Sequence, residues 1–263
     1  MDLGLTGRTV FVTGPAKGMG AAITAAFASE GCRLALAGRD LDAIAPVADA
    51  ARAGGADVVV LGCDIESPDS VERAAAKTMS RYGRIDVLVN VAGGSGPVGT
   101  PSWQTSPAEF EQIVRLNMNG CFHTMRAVLP GMIEQRYGKI VNVGGTFGLR
   151  GRAGRMSYSA SKWGLRGITK STALEVGQYN INVNLVAPGM VDGERFRSKV
   201  VPDAMRRHQC SEQEAVDRHA AEYALRRISA DRDVANACLF LASDVSRQIT
   251  GIDLPVDGGW AAL

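Results

Sequence analysis

The feature that most constrains the fold is a repeated alternation between short apolar runs and longer stretches with helical periodicity. The apolar runs are rich in Val, Ile and Leu and occupy residues 8–13, 33–38, 56–61, 85–90, 138–143, 181–186 and 252–256. Ala-rich stretches with apolar residues at helical spacing occupy 18–30, 41–53, 68–82, 107–131, 157–177 and 231–242. Near-continuous apolar strands separated by helices are typical of a parallel sheet covered on both faces. The pattern therefore predicts a single doubly wound α/β domain over residues 1–263, with about seven strands.

One long segment, residues 187–230, contains no candidate strand. It begins with Pro188, Gly189 and Gly193 and continues as a charged run of helical character. Long insertions inside a compact domain usually carry function, often as a cover over a site. We therefore expect residues 191–225 to form a lid over a substrate.

Composition excludes several classes of protein. The chain is 46% hydrophobic and 21% charged, which is ordinary for a globular domain and unlike a disordered segment. Its formal net charge of +2 and the lack of a Lys/Arg run argue against nucleic-acid binding. No apolar run reaches the ~18 residues that a membrane-spanning helix needs. The first residues also lack the basic start and apolar centre of a secretory signal.

Cysteine and histidine usage adds two expectations. The five cysteines are scattered and include no Cys-x-x-Cys pair, which indicates reduced thiols in a cytoplasmic enzyme. The three histidines include no pair at metal-ligand spacing, so we expect no catalytic metal.

A glycine-rich segment follows the first predicted strand and opens the first predicted helix. It contains Gly14, Lys17, Gly18, Met19 and Gly20. Glycines let the backbone turn sharply and approach a pyrophosphate, while the start of the helix presents free N–H groups and a positive dipole end. In this context the segment predicts a dinucleotide-phosphate site.

Several further motifs appear in a fixed order along nearly the whole chain. They are the Thr-Gly-x-x-x-Gly-x-Gly loop at 13–20, Asp64, the segment Asn90-Val91-Ala92-Gly93, Asn117, Tyr158, Lys162, Pro188-Gly189 and Asp257-Gly258-Gly259. This combination resembles the short-chain dehydrogenase/reductase family, including its members of the 3-oxoacyl-carrier-protein reductase type. The resemblance implies a Rossmann fold that binds a nicotinamide cofactor. Besides the glycine-rich segment, it implies cofactor contacts from Asp64, Ile65, Asn90, Ala92, Gly93, Tyr158, Lys162, Pro188, Gly189 and Val191.

The end of the second strand bears on which nicotinamide cofactor is used. An NAD site needs an acidic residue there to accept from the ribose 2′-hydroxyl. This chain has Gly38 at that place, followed by Arg39, whose guanidinium can bind a 2′-phosphate. Lys17 is a second cation for that phosphate by the resemblance. We therefore expect NADP(H) to be preferred, with NAD(H) possible if Asp40 turns back onto the ribose.

Tyr158 and Lys162 are four residues apart on a predicted helix, so their side chains share a face. The resemblance implies that both are catalytic, together with Asn117. A neighbouring ammonium and an oxidised nicotinamide would favour the phenolate form of Tyr158, which would then exchange a proton with the substrate oxygen. By the resemblance, Lys162 also holds the ribose hydroxyls and Asn117 positions a relay water.

The family's catalytic serine is missing. It normally lies thirteen residues before the tyrosine, and that position here is Gly145. The serine helps to fix the substrate oxygen. Three interpretations stay open: Thr146 supplies a hydroxyl, a polar group of the substrate fills the space, or the chemistry is weak or absent. Neighbouring side chains of a strand point in opposite directions, so Thr146 serves only if the chain has already left the strand. Phe147 is a further candidate for the pocket wall.

Three arginines, Arg150, Arg152 and Arg155, lie between Gly145 and Tyr158. Arginine is the usual clamp for carboxylate, sulfonate or phosphate groups. We therefore hypothesise a substrate with an acidic group, although exposed charges or subunit contacts are the commoner explanation for such residues.

The sequence thus favours an NADP(H)-dependent oxidoreductase that interconverts a small-molecule secondary alcohol and a ketone. Two alternatives stay open: a 3-oxoacyl-carrier-protein reductase, and a weakly catalytic NADP(H)-binding sensor suggested by Gly145. The resemblance also implies a homotetramer that pairs the helices at 107–131 and 157–177.

Overall fold

The computed structural model describes residues 2–262. Its centre is one sheet of seven parallel strands in the order β3-β2-β1-β4-β5-β6-β7. The strands are β1 (Thr9–Thr13), β2 (Arg33–Gly38), β3 (Val58–Gly62), β4 (Val87–Asn90), β5 (Gly138–Val143), β6 (Ile181–Pro188) and β7 (Asp253–Val256). The predicted strands are therefore confirmed, with bounds that shift by no more than two residues at either end.

Helices cover both faces of the sheet. They are α1 (Gly18–Ser29), α2 (Leu41–Ala53), α3 (Pro68–Tyr82), α4 (Pro107–Val114), α5 (Gly120–Glu134), α6 (Met156–Val176), α7 (Val201–His208), α8 (Glu212–Ala220) and α9 (Asp231–Ala242). One buried cluster joins α1, α2 and α9 to the sheet, and a second joins α3, α5 and α6 to its other face.

The strands alternate between these two clusters, residue by residue. Val10 and Val12 pack into the first cluster, whereas Phe11 between them packs into the second. Successive side chains of a strand point to opposite faces, so a sheet covered on both faces needs apolar residues at most positions. This explains why the predicted strands are nearly continuously apolar.

The helix predicted over 107–131 is not continuous. The structure divides it into α4 and α5, joined by one wide π-type turn at Arg115–Asn119. Within this turn the side chain of Asn117 is fully buried and bonds to Gly94 and Ser161. Inserted wide turns of this kind occur frequently at functional sites.

The order of the strands creates a cleft. From β1 the chain continues to β2 on one side, while β4 pairs on the other side of β1. Ligands of open α/β sheets bind beyond the carboxyl ends of the strands at such a reversal. Both the glycine-rich segment and residues 90–93 lie at this place, directly after β1 and at the end of β4.

The segment predicted as a lid, residues 191–225, is largely helical. After a wide turn at Phe196–Val200 come α7 and α8, packed on a small core of their own with Phe196, Val201, Ala204 and Ala215. The base of the lid is closed by two contacts. The backbone N–H of Met190 donates to the Tyr223 hydroxyl at 3.0 Å, and Val191 forms a bridge with Ser229.

Over residues 2–262, none of the helices combines the length and the apolar character needed to cross a lipid bilayer.

Candidate active site

The glycine-rich segment forms a tight turn between β1 and α1. Gly14 has a φ of +68°, and a Cβ atom there would lie 2.8 Å from the Ala92 Cα. A Cβ on Gly20 would overlap the carbonyl oxygen of Gly14. Both positions therefore require glycine, because the backbone of the loop closes on itself and on the end of β4.

The first turn of α1 has backbone N–H groups that are not used in hydrogen bonds. Lys17 precedes the helix without making a side-chain cap, and among residues 2–262 the N–H groups of Gly18 and Met19 meet no acceptor. Two unpaired N–H groups at the positive end of a helix dipole fit a pyrophosphate. The residues present thus fit the phosphates of a dinucleotide.

Lys17 itself points toward the lid. Its ammonium lies 3.0 Å from a carboxylate oxygen of Glu194, and both side chains are highly exposed. An exposed pair of this kind contributes little stability, so Glu194 competes only weakly with an anionic ligand for Lys17.

The end of β2 is arranged around Asp40, which caps α2. Its Oδ1 accepts from the N–H of Ala43 at 3.0 Å. Arg39 beside it is exposed and has no acidic partner within the described part of the chain. A Cβ on Gly38 would lie 2.9 Å from the tip of Ile44. Asp40 is therefore engaged as the cap of α2, whereas the guanidinium of Arg39 is available to a ligand.

Asp64 and Ile65 follow β3 on the same side of the sheet. One carboxylate oxygen of Asp64 accepts from the N–H of Glu66 at 3.1 Å, which fixes the turn. Ile65 is buried and fills the space above Gly120. The second oxygen of Asp64 has no partner in the described residues and stays available to a ligand.

At the end of β4 the predicted contacts divide into two kinds. The Asn90 side chain is buried, where it donates to Asn142 and accepts from Thr124. This side chain therefore ties β4 to β5 and α5. The backbone of Ala92 donates to the Thr13 hydroxyl at 3.2 Å, and Gly93 continues along the cleft.

Tyr158 and Lys162 lie on the first turns of α6, as predicted. The Lys162 ammonium donates to the carbonyl of Val143 at 3.0 Å and lies 5.7 Å from the centre of the Tyr158 ring. A Cβ on Gly93 would approach the same ammonium at 3.9 Å. Lys162 thus joins the ends of β4 and β5 to the tyrosine.

The Asn117 side chain acts as a brace. Its Nδ2 donates to the Gly94 carbonyl and the Ser161 hydroxyl, and its Oδ1 accepts from the Gly94 N–H at 2.8 Å. Since both amide hydrogens are used, this side chain cannot donate to a relay water, which would bind to Oδ1 or to the backbone of the wide turn.

Gly145 lies directly beside the tyrosine. A Cβ on Gly145 would point at the Tyr158 hydroxyl. β5 ends at Val143, and a helical turn begins at Thr146, so the chain has left the strand there. The Thr146 side chain is therefore not forced to point away from Tyr158 by the alternation of a strand. The position that faces Tyr158 is nevertheless Gly145. Phe147 packs edge-on against the Tyr158 ring, with centroids 6.1 Å apart.

The three arginines of the post-β5 loop (residues 144–155) have different surroundings. Arg150 lies over the ring of Trp260 and donates to its carbonyl. Arg152 forms an ion pair with Glu222 at 3.2 Å and is half-exposed. Arg155 is only 6% exposed and has no carboxylate partner in residues 2–262. Sequence reasoning grouped the three, whereas the structure separates Arg155 from the others.

Arg155 faces the tyrosine. Its guanidinium lies 4.7 Å from the centre of the Tyr158 ring, and its Nη2 donates to the Ser95 carbonyl at 2.9 Å. Its Nε is buried without an acceptor in the described residues. Burial lowers the pKa of Arg155, and the nearby charge of Arg195 acts in the same direction. A buried cation with a spare donor is suited to an anion beside Tyr158.

Pro188 ends β6, and Gly189 donates to Val256 of β7. A Cβ on Gly189 would lie 2.9 Å from the Asp257 Cβ, so the turn is packed against the Asp257-Gly258-Gly259 segment. Val191 then leads into the lid.

Sequence reasoning missed Glu222 and its contact with Trp260, a residue that it had named only as a possible part of the pocket wall. Glu222 pairs with Arg152 and also accepts from the indole N–H of Trp260 at 3.3 Å. Trp260 packs against Phe147 at 5.5 Å between ring centroids. These contacts join the lid, the post-β5 loop and the carboxyl-terminal turn. No local sequence pattern could reveal these contacts. The contacting residues are about 70 or more positions apart in the chain, except for Glu222 in the lid and Trp260 in the terminal turn.

Three comparisons with known proteins agree with this geometry. The family profile described as enoyl-(acyl carrier protein) reductase matches residues 14–261. A 3-oxoacyl-(acyl-carrier-protein) reductase of Thermotoga maritima is 35% identical over 259 residues, covering 97% of this chain and 98% of the relative. D-beta-hydroxybutyrate dehydrogenase of Cupriavidus necator is 32% identical over 259 residues, covering 98% and 99%.

The fold has equally similar solved structures. A Phe-to-Trp variant of actinorhodin polyketide ketoreductase with NADPH superposes with a TM-score of 0.90 at 31% identity, covering 98% of each chain. Fold, glycine-rich turn and family profile agree over nearly the full length. The chain belongs to the short-chain dehydrogenase/reductase family and is an NAD(P)-dependent oxidoreductase.

Proposed function

We propose that this protein interconverts a secondary alcohol and a ketone with NADP(H), using Tyr158 as the acid/base group, on a substrate that carries an anionic group. The observation that carries the proposal is the buried Arg155 guanidinium, 4.7 Å from the Tyr158 ring and without a carboxylate partner in the described residues. A side chain that can exchange a proton and a cation that can hold an anion are thus in contact.

When bound, the nicotinamide cofactor supplies or accepts the hydride. Tyr158 gives its proton to the substrate oxygen during reduction and takes it back during oxidation. The Lys162 ammonium, 5.7 Å from the ring centre, stabilises the phenolate that remains and holds ribose hydroxyls. The N–H groups of Gly18 and Met19 hold the pyrophosphate.

Asn117 supports this arrangement through position. Its bonds to Gly94 and Ser161 fix the segment after β4 against α6, directly beside Lys162. A relay water would bind to the backbone of the wide turn that Asn117 forms.

NADP(H) is favoured by the end of β2. Arg39 is exposed and has no acidic partner among the described residues, so it is available to a 2′-phosphate. The acidic alternative is weakened, because Asp40 already caps α2 through Ala43. Asp64 and Ile65 would border the adenine, and Ala92 and Gly93 the adenosine ribose.

The anionic substrate would enter between the post-β5 loop and the lid. Arg155 is its clamp, with Arg195 of the lid contributing positive charge nearby. Residues 191–225 would close over it. The relative from Cupriavidus necator is named for D-beta-hydroxybutyrate, an acid, which is consistent with this substrate class.

The test follows nicotinamide absorbance with purified protein, NADPH or NADH, and matched pairs of ketones that differ only by a carboxylate. We expect turnover with NADPH, faster with the keto acids, and loss of turnover in Tyr158→Phe. Equal rates with neutral ketones would contradict the anionic substrate. Tight NADPH binding without turnover on any ketone would favour the sensor alternative, which rests on Gly145.

A second candidate is a 3-oxoacyl-carrier-protein reductase, as the Thermotoga maritima relative is named. The chemistry at Tyr158 would be the same, and the acidic carrier would bind exposed cations around the lid. Comparing a 3-oxoacyl carrier protein with a small thioester of the same acyl group separates the two: only a carrier-dependent enzyme would prefer the former strongly.

We also propose a homotetramer. Phe122 on α5 and Trp163 and Leu174 on α6 are large apolar side chains that are 48% or more exposed in the single chain, as helix pairing would require. Light scattering after gel filtration would give four times 27.7 kDa. A monomer would contradict the assignment.

A further inference from the structure

Asp231 opens α9, and its carboxylate lies in the gap between the glycine-rich turn and the start of the lid. Its Oδ1 is 3.8 Å from the place of a Cβ on Gly18, and its Oδ2 is 3.9 Å from that of a Cβ on Gly193. Both neighbours are glycines, so no side chain separates the carboxylate from either backbone.

This carboxylate lacks the partners that its neighbours have. Asp192 is held by Arg197 through two bonds of 2.6 Å, and Asp233 accepts from the N–H of Ala230. Asp231 is half-buried, yet it accepts no hydrogen bond from residues 2–262. Burial and the nearby Asp192 raise its pKa. A partly buried acceptor without a donor is costly unless a ligand supplies one.

The position of the gap limits which part of a dinucleotide can supply that donor. The pyrophosphate belongs at Gly18, at the start of α1, and the nicotinamide must extend from there toward Tyr158. Residues 191–193 follow β6 on that side of the cleft. In this half of the cofactor, phosphates only accept hydrogen bonds, and the ribose hydroxyls are assigned to Lys162 in the proposed site. The carboxamide then remains as the donor, with an NH2 group that carries two hydrogens.

We propose that Asp231 is a cofactor-binding residue whose carboxylate accepts a hydrogen bond from the nicotinamide carboxamide. The inference rests on the proposed dinucleotide function. The alternative is that Asp231 only repels the pyrophosphate. The amino termini of α1 and α9, which pack against each other, place two positive dipole ends at this gap and offset such repulsion.

The test compares dissociation constants, measured by calorimetry, for NADP+ and for 2′-phospho-ADP-ribose, which lacks only the nicotinamide. Asp231→Ala should weaken NADP+ binding roughly tenfold, as loss of a hydrogen bond to a charged group does, and leave the shorter ligand within about twofold. Asp69→Ala, which removes an exposed first-turn acid of α3, is the matched control.

Two further measurements sharpen the assignment. The 3-acetylpyridine analogue of NADP+ replaces the NH2 by a methyl group, so wild type should bind it more weakly than NADP+ and Asp231→Ala should bind both alike. Adding Gly193→Thr to Asp231→Ala places a hydroxyl acceptor at the gap and should restore part of the NADP+ affinity.

Each other outcome has a definite meaning. Tighter binding of both ligands by Asp231→Ala would establish repulsion and overturn the inference, as would unchanged binding of both. Failure of wild type to bind either ligand would overturn the proposed dinucleotide function together with it. A melting curve like that of wild type shows that the variant is folded.

Discussion

A Cβ atom on Gly145 would lie 2.8 Å from the hydroxyl oxygen of Tyr158. Real Cβ atoms essentially never approach another atom so closely, so the hydroxyl occupies space that any side chain at 145 would need. The tyrosine ring is itself bordered by Phe147 and by Arg155. The Tyr158 hydroxyl thus occupies part of the space that a serine side chain at position 145 would fill.

This relationship predicts that Gly145→Ala and Gly145→Ser both lower kcat, on the order of a hundredfold, because each displaces the Tyr158 hydroxyl. Steady-state kinetics on the best substrate, with NADPH affinity measured separately, tests it. Increased turnover in Gly145→Ser but not in Gly145→Ala would instead mean that the serine hydroxyl supplies a donor the wild type lacks.

Arg155→Gln should raise KM for keto acids by about tenfold or more, because a charge-assisted hydrogen bond contributes about 1.5–3 kcal/mol. KM for neutral ketones should stay within about twofold. Arg152→Gln is the matched control, since Arg152 already has Glu222 as a partner and should affect KM much less. Equal effects of both variants on acidic substrates would contradict the separate role of Arg155.

The pair of substitutions Gly38→Asp and Arg39→Ala should convert the cofactor preference toward NADH. Loss of the guanidinium should weaken NADPH binding by about tenfold or more, and the new carboxylate can accept from a ribose 2′-hydroxyl. The side chain at 38 must displace the terminal Cδ1 atom of Ile44, a buried residue of the core. Fluorescence titrations with both cofactors test this. Arg39→Ala alone should leave NADH binding nearly unchanged, and equal loss for both cofactors would refute the assignment.

The stability of the folded lid should decrease in acid because of His219. Burial lowers the pKa of His219 from the ordinary 6.5, with Glu222 opposing and Arg152, His208 and Arg207 adding to the effect. The unfolded lid therefore binds a proton at a higher pH than the folded lid, so stability is complete above about 6.5 and falls as the pH decreases below it. His219 also packs edge-on against Phe196 of the lid core.

Hydrogen exchange across 196–220 should thus accelerate, after correction for intrinsic rates, between about pH 7.5 and about pH 5.5. His219→Gln should remove most of this pH dependence. His208→Gln, which changes an exposed lid histidine, should retain it. The same acceleration in both variants would show that other groups control the lid.

The sequence predicted those parts of the protein that depend on spacing along the chain. Gly14, Gly18 and Gly20 could be placed because strand, turn and helix follow one another directly. Tyr158 and Lys162 could be placed because four residues define one helix face. The difference between Arg152 and Arg155 could not be predicted, because it depends on Glu222, 70 residues beyond Arg152.

The wide turn at Arg115–Asn119 could likewise not be predicted from the sequence. Its sequence is compatible with an ordinary helix, and the break accompanies bonds from Asn117 to Gly94 and Ser161, which only the tertiary fold brings near. The position of Asp231 beside Gly193 has the same origin.

The closed base of the lid has a consequence for how this enzyme can diverge. The hydrogen bond from Met190 to Tyr223 and the bridge from Val191 to Ser229 hold the two ends of the lid together, whatever residues lie between those ends. Insertions and replacements between fixed ends add little closure entropy. Residues 195–221 can therefore vary in length and sequence during evolution while the strand register and the cofactor cleft are inherited unchanged.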